Sequence, residues 1–267
     1  MKKKSIVLAA TALMMAAALV VGGTLAYFTD QTEAKVNEFT VGNVNIDLSE
    51  PEWVVEDGHT LMPGISFAKD PTITLQAEDK ENKIPASEDA YVFLKIDMNK
   101  YVSLVNLMGV DAYLNNVGDL QGTYPGFIKF VEKLASDNDL RAAVLDRWFT
   151  GIDHSDWKVM NIDDLLGWVT GAADKTNPTK LEVILGYIGS DDDTLSAGES
   201  VTFMTAFGMP ATITQSMMDG EDAYYIDGAS KSNFNTDAST FKMTFTAYAI
   251  QAAGIENIDA AYAALFA

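Results

Sequence analysis

The sequence predicts a mainly β fold, a jelly-roll β-sandwich that carries a helical insertion and a short C-terminal helix. Three observations point to it. Apolar and polar residues alternate with period two in several segments, each bounded by Gly, Pro, Asn or Asp turn signals. Strands and helices do not alternate regularly, as a parallel sheet would require. The long stretch with helical spacing, about 101–176, has strand-like sequence on both sides. Many short strands with turns between them favour a two-layer antiparallel architecture, and the jelly roll is its natural form.

The chain opens on Lys2, Lys3 and Lys4, an apolar run from Ile6 to Val21, and then Gly22-Gly23-Thr24-Leu25-Ala26-Tyr27-Phe28-Thr29-Asp30. A basic start, a short apolar core and small residues at −3 and −1 (Thr24 and Ala26) describe a secretory signal peptide over 1–26, with cleavage before Tyr27. The apolar run is near the lower limit for a spanning helix, so retention as a membrane anchor is the competing reading. No second apolar stretch has spanning length, and the mature form is expected not to span a membrane. The remaining 27–267 is read as one domain.

Within it, 29–37 is polar and without a core pattern. Phe39 and Val41 then alternate, as do Val44, Ile46 and Leu48, with Gly42-Asn43 shifting the phase between the two sets, as a bulge would. Pro63-Gly64 marks a turn. Ile65–Leu75 is extended, and Pro71 places it at an edge or breaks it. A charged loop over 76–89 leads to Ala90–Met98, a strong strand expected to be central. Between Tyr101 and Thr176, Phe127, Ile128, Val131 and Leu134 have helical spacing, as do Leu140, Val144 and Trp148, with capping residues at Ser136-Asp137-Asn138 between the two sets. Ile162, Leu165, Leu166 and Val169 predict a further short helix. Strands are expected again at Lys180–Tyr187, Ser200–Phe207, briefly at Ala223–Ile226, and at Thr240–Gln251, where Phe241, Met243 and Phe245 share a face. Glu256–Phe266 reads as a terminal helix.

Composition narrows the function. Thirty-eight acidic against 18 basic residues give a net charge of −20. Loss of 1–26 removes three Lys and no acid, leaving −23. Such a surface repels nucleic acid and anionic lipid. There is no Cys, hence no disulfide framework and no thiol nucleophile or metal ligand.

Motifs for catalysis are sparse. The two His, His59 and His154, belong to no His-Glu-x-x-His arrangement. His154, within Asp153-His154-Ser155-Asp156, reads as a loop residue with local hydrogen bonds. No Gly-x-Ser-x-Gly elbow, phosphate loop or dinucleotide fingerprint occurs. Asp191-Asp192-Asp193 lacks the spacing of a helix-loop-helix calcium loop and reads as a solvated acidic turn, and Asp219-Gly220-Glu221-Asp222 reads likewise. No catalytic, metal or cofactor site is expected, and Trp148 is expected in the core rather than on a glycan-stacking surface.

The junction at 22–30 and the segment Asn37–Leu48 resemble the TasA/camelysin family of Gram-positive bacteria. Lys69-Asp70-Pro71-Thr72-Ile73, Asp89-Ala90-Tyr91-Val92 and Phe245–Gly254 are similar to later strands of that family, in the same order. The resemblance implies a secreted subunit of a biofilm-matrix or cell-surface fibre, exported through a SipW-type signal peptidase and joined to itself or to related fibre and assembly proteins by donor-strand exchange. Phe39, Val41, Val44, Ile46 and Leu48 are the candidate donor strand. An ordinary first strand paired within its own subunit is the bland reading of the same residues. A third possibility divides them at Gly42, with Val44–Leu48 paired at home and the preceding residues donated. The resemblance also implies an alternative of another class, a camelysin-like secreted metalloprotease; a monomeric surface adhesin or ligand-binding module is a further alternative for such a secreted chain.

Overall fold

The computed structural model describes residues 44–53, 61–99, 101–122, 127–161, 182–219 and 241–266, all within one compact unit, Gly42–Ala267. Among the described residues the fold is mainly β, with ten strands in three antiparallel sheets. The first sheet orders β1 (Ile46–Ser49), β3 (Thr72–Leu75) and β8 (Ser200–Thr202). The second orders β10 (Met243–Gln251), β4 (Ala90–Met98), β7 (Glu182–Tyr187) and β6 (Trp157–Val159). The third orders β2 (Ser66–Ala68), β9 (Ala206–Gly208) and β5 (Phe149–Thr150).

β4 is central, as its sequence predicts. Its two faces serve two apolar clusters, because neighbouring side chains on a strand point to opposite sides. Val92, Leu94 and Ile96 enter the main core with Ile73 and Leu75 of β3, Val201 of β8 and Phe207 of β9. Tyr91 and Phe93 face the other way and meet Ile258 and Ala261 of the C-terminal helix. Residues from the first two sheets thus share one core, which agrees with a sandwich and is consistent with the jelly-roll expectation. On β3 the opposite face is polar. There Thr72 and Thr74 sit across from Thr202 and Ser200, with hydroxyl pairs at 2.8 Å in each case.

Pro71 breaks the Ile65–Leu75 segment into β2 and β3, which belong to different sheets. The segment Ser200–Phe207, expected as one strand, is two: β8 follows β3 and β9 follows β2. The partner bends where the proline bends. Phe203 N donates to Pro71 O at 3.0 Å and Lys69 N to Thr205 O at 3.0 Å, so hydrogen bonding continues through the corner.

The block expected to be helical over about 101–176 carries its helices in its first part only. These are α1 (Tyr101–Leu114), a 3-10 turn (Val117–Gly122), α2 (Phe127–Ser136) and α3 (Asn138–Leu145). Strands β5 and β6 then enter the third and second sheets, and two or three residues are too few to show a period in sequence. Asp137 caps α3 by accepting from Leu140 N at 2.9 Å. Leu140 and Val144 are buried on that helix, and Trp148, past its end, is 1% exposed. A four-residue helix, α4 (Gln215–Met218), precedes β10. The terminal helix α5 (Ile258–Phe266) forms as expected, its Tyr262 and Phe266 rings lying against Phe93. No described helix is long and apolar enough to cross a membrane. The helix expected around Ile162–Val169 and the strand at Ala223–Ile226 lie outside the described residues.

Buried charge ties the helices to the β framework. Asp111, on α1 and fully buried, accepts from Arg147 Nε (2.5 Å) and Nη2 (2.8 Å), from Thr212 Oγ1 (2.5 Å) and from Asn115 Nδ2 (2.9 Å). Its hydrogen bonds hold the Arg147 guanidinium above its usual pKa.

Candidate functional site

The residues singled out as a donor strand divide at the start of the described chain. Thr24, Ala26 and Tyr27 of the cleavage junction and Phe39 and Val41 lie outside the described residues. Val44, Ile46 and Leu48 are half-buried and pack on the main core. β1 pairs antiparallel with β3 of its own chain, Ile46 opposite Leu75 and Leu48 opposite Ile73. Its entry is fixed by Asn45, which exchanges hydrogen bonds of 3.0 Å with Ser87 and whose carbonyl accepts from Gln76 N at 2.9 Å. Its exit is fixed by Glu50, 2.6 Å from Lys69 Nζ, and that ammonium also lies 4.2 Å from the Trp53 ring and 5.3 Å from that of Phe245.

Among the described residues both β1 and β10 are edge strands, and β1 lies close to β10. β10 bonds to β4 over nine residues, and among the described residues no strand pairs with its other edge. Its Phe245, Ala247 and Ala249 pack on the main core, and Tyr248 and Ile250 on the second cluster, yet all remain partly exposed. A long edge that packs on apolar clusters from both faces, and that no described strand pairs, is a template for an added strand.

The described residues do not form a zinc centre. His154 is the single imidazole among them, and its Nε2 lies 2.8 Å from Asp146 Oδ1. Asp153 turns instead to Ser155, accepting from its hydroxyl at 2.6 Å and its backbone N at 3.0 Å; these bonds hold the Asp153 carboxyl below its usual pKa. Burial pushes Asp156 the other way, with the nearby Asp153 charge adding to it. Among the described residues no group of three or more His, Asp or Glu is placed to hold a metal ion. His59 lies outside them.

In the acidic turn the Asp192 carboxylate closes a local loop. It accepts from Thr194 Oγ1 at 2.8 Å and Ser190 Oγ at 3.1 Å, and those hydroxyls hold it below its usual pKa.

Sequence reasoning missed a cavity of about 180 Å³ between the helices and the four-stranded sheet. α1 contributes Leu104 and Met108, α2 Leu134, β4 Met98, and β6 Trp157. Arg141 and His154 are the charged or titratable side chains in a lining that is otherwise aliphatic and aromatic. Each of these residues reads in sequence as ordinary core or surface, and no local spacing marks the set.

Residues 1–100 match the family model described as camelysin metallo-endopeptidase. The matched span contains the expected signal junction, the 37–48 segment and strands β1 to β4, and over it the TasA/camelysin resemblance is borne out. No curated protein and no solved structure gives a match.

Proposed function

We propose that this chain is a secreted structural subunit of an extracellular biofilm-matrix or cell-surface fibre, and that its work is polymerisation rather than catalysis. After cleavage before Tyr27, the segment carrying Phe39 and Val41 adds as a strand to a neighbouring subunit, while Val44–Leu48 stay paired at home. The observation that carries this reading is the nine-residue edge of β10, unpaired on that side among the described residues, beside β1, the strand that continues from that segment. Backbone pairing along such an edge supplies affinity, and alternating side chains supply register. A head-to-tail contact of this kind does not close on itself, so it propagates as a filament. The partners are further copies of the chain or related fibre proteins, and the processing enzyme is a SipW-type signal peptidase.

The test compares mature protein beginning at Tyr27 with a form beginning at Gly42, by electron microscopy and sedimentation. Filaments are expected from the first and folded monomers from the second. Normal filaments from the shorter form would sink the donor assignment. The family description favours a second reading, a secreted metallo-endopeptidase. Casein turnover by the clean protein that is abolished by a chelator and by His59→Ala or His154→Ala would establish it.

A further inference from the structure

The cavity beneath the helices has two features that packing alone does not require. The first is its charge. Arg141 donates from Nη1 to the carbonyls of Leu134 (2.7 Å) and Ala135 (3.2 Å) and from Nη2 to Asn138 Oδ1 (2.6 Å), all uncharged acceptors. No carboxylate of the described residues forms an ion pair with it, although the chain has 38 acidic residues. Asp137, whose charge acts on the guanidinium without forming an ion pair, is committed to the N-terminus of α3. The second is Trp157, 8% exposed, whose buried indole N–H has no acceptor among the described residues. A buried donor without a partner costs about 1–3 kcal/mol, a cost that an accepting group within its reach relieves.

The size limits what that group is attached to. A cavity of about 150 Å³ with an apolar lining admits benzene, so about 180 Å³ holds roughly six to ten heavy atoms. Met98 and Met108 give the lining unbranched, adaptable side chains, which suit a flexible tail better than a rigid ring. We propose that this cavity binds a medium-chain aliphatic carboxylate, with the hydrocarbon among Met98, Leu104, Met108 and Phe203 and the carboxylate against Arg141. Met98 lies within the matched residues 1–100, while Arg141, Leu104, Met108 and Phe203 lie beyond them, and the proposal does not depend on the fibre reading.

Titration of the mature protein with sodium octanoate, followed by the methyl NMR signals of Met98 and Met108, tests the assignment. Saturable shifts of both are expected. Octan-1-ol, with the same tail and no charge, is expected to bind about ten- to a hundredfold more weakly, as is octanoate to Arg141→Gln. Because Arg141 also holds the end of α2, Ala135→Phe serves as the second variant: it fills the cavity from its half-buried rim and is expected to abolish the shifts with the thermal midpoint preserved. Unmoved methyl signals, equal binding of octanol, or unchanged octanoate binding by Ala135→Phe would each overturn the proposal.

Discussion

Replacement of Asp111 by Asn is the sharpest stability test the fold offers. The carboxylate is fully buried and accepts four hydrogen bonds, two of them from the Arg147 guanidinium. Asn keeps the volume but presents an NH₂ where an oxygen accepted, so one donor is set against another and the guanidinium loses its counter-charge. Removing one partner of a buried pair costs about 3–5 kcal/mol, far above the ~1 kcal/mol of an ordinary hydrogen bond. For a domain of this size each kcal/mol lowers the melting midpoint by about 2–4 °C, which gives a fall of roughly 6–20 °C. The double variant Asp111→Asn with Arg147→Met removes the stranded charge as well, and should lose less than Asp111→Asn alone. Thermal and urea unfolding of both proteins, with coincident probes to establish two-state behaviour, measures the difference. A loss below about 1 kcal/mol for Asp111→Asn, or a double variant worse than the sum of its parts, would refute the view that this network pins the helices to the sheets.

Three further outcomes are expected. Lysines at Thr244 and Thr246 of β10 should suppress filaments, since charge on an edge strand blocks pairing, while changing stability by no more than about 0.5 kcal/mol each; normal filament yield in a sedimentation assay would argue against β10 as the receiving edge. Gly208→Ala places a methyl 2.7 Å from Ser66 Cα and 2.8 Å from Ile65 O, backbone atoms that cannot swing aside, and should cost about 1–3 kcal/mol by urea unfolding, with an unchanged midpoint disproving the close approach of β2 and β9. The Asp192 carboxyl should titrate below the ordinary aspartate value by NMR and move up in Thr194→Val; a depressed carboxyl stabilises the folded turn at neutral pH, and that contribution disappears as the pH falls through its lowered pKa, so an ordinary titration in the parent protein would contradict the bonded geometry.

The elements that sequence revealed are those whose signal is local. Ala90–Met98 has enough consecutive apolar residues to mark a strand buried on both faces, and Asp137 sits where a helix cap must. Pro71 announces its own break, but nothing within Ser200–Phe207 announces the matching one, because that bend is imposed by the strand it pairs with. β5 and β6 are shorter than any period that could reveal them. The acidic loop around His154 suggests a partner within it, but Asp153 bonds to Ser155 and the ring's partner at Nε2 is Asp146, eight residues back. Asp111 looks like an ordinary polar position on a helix until Arg147 and Thr212 arrive from elsewhere in the chain. The cavity is less legible still: Arg141 reads as a surface residue and Trp157 as an unassigned aromatic, and their shared environment exists only once α1, α2, α3 and the sheet are assembled.

The boundary of the family match bears on which activity the family sequence can carry. It ends at residue 100, just after β4 and before α1. Within it lie the expected signal junction, the candidate donor segment and the first four strands. The same span holds a single imidazole, His59. A zinc centre confined to it has therefore one His and no Cys to use, and its other protein ligands have to be carboxylates, unlike the two-His and three-His sets common in catalytic zinc sites. A centre that recruits His154 depends on residues outside the matched span, where that ring is already bonded to Asp146. The two readings therefore separate at one residue. On the structural reading His59→Ala leaves secretion and filament formation unchanged, whereas on the peptidase reading it removes the one imidazole available to a zinc site in the shared sequence and with it the turnover.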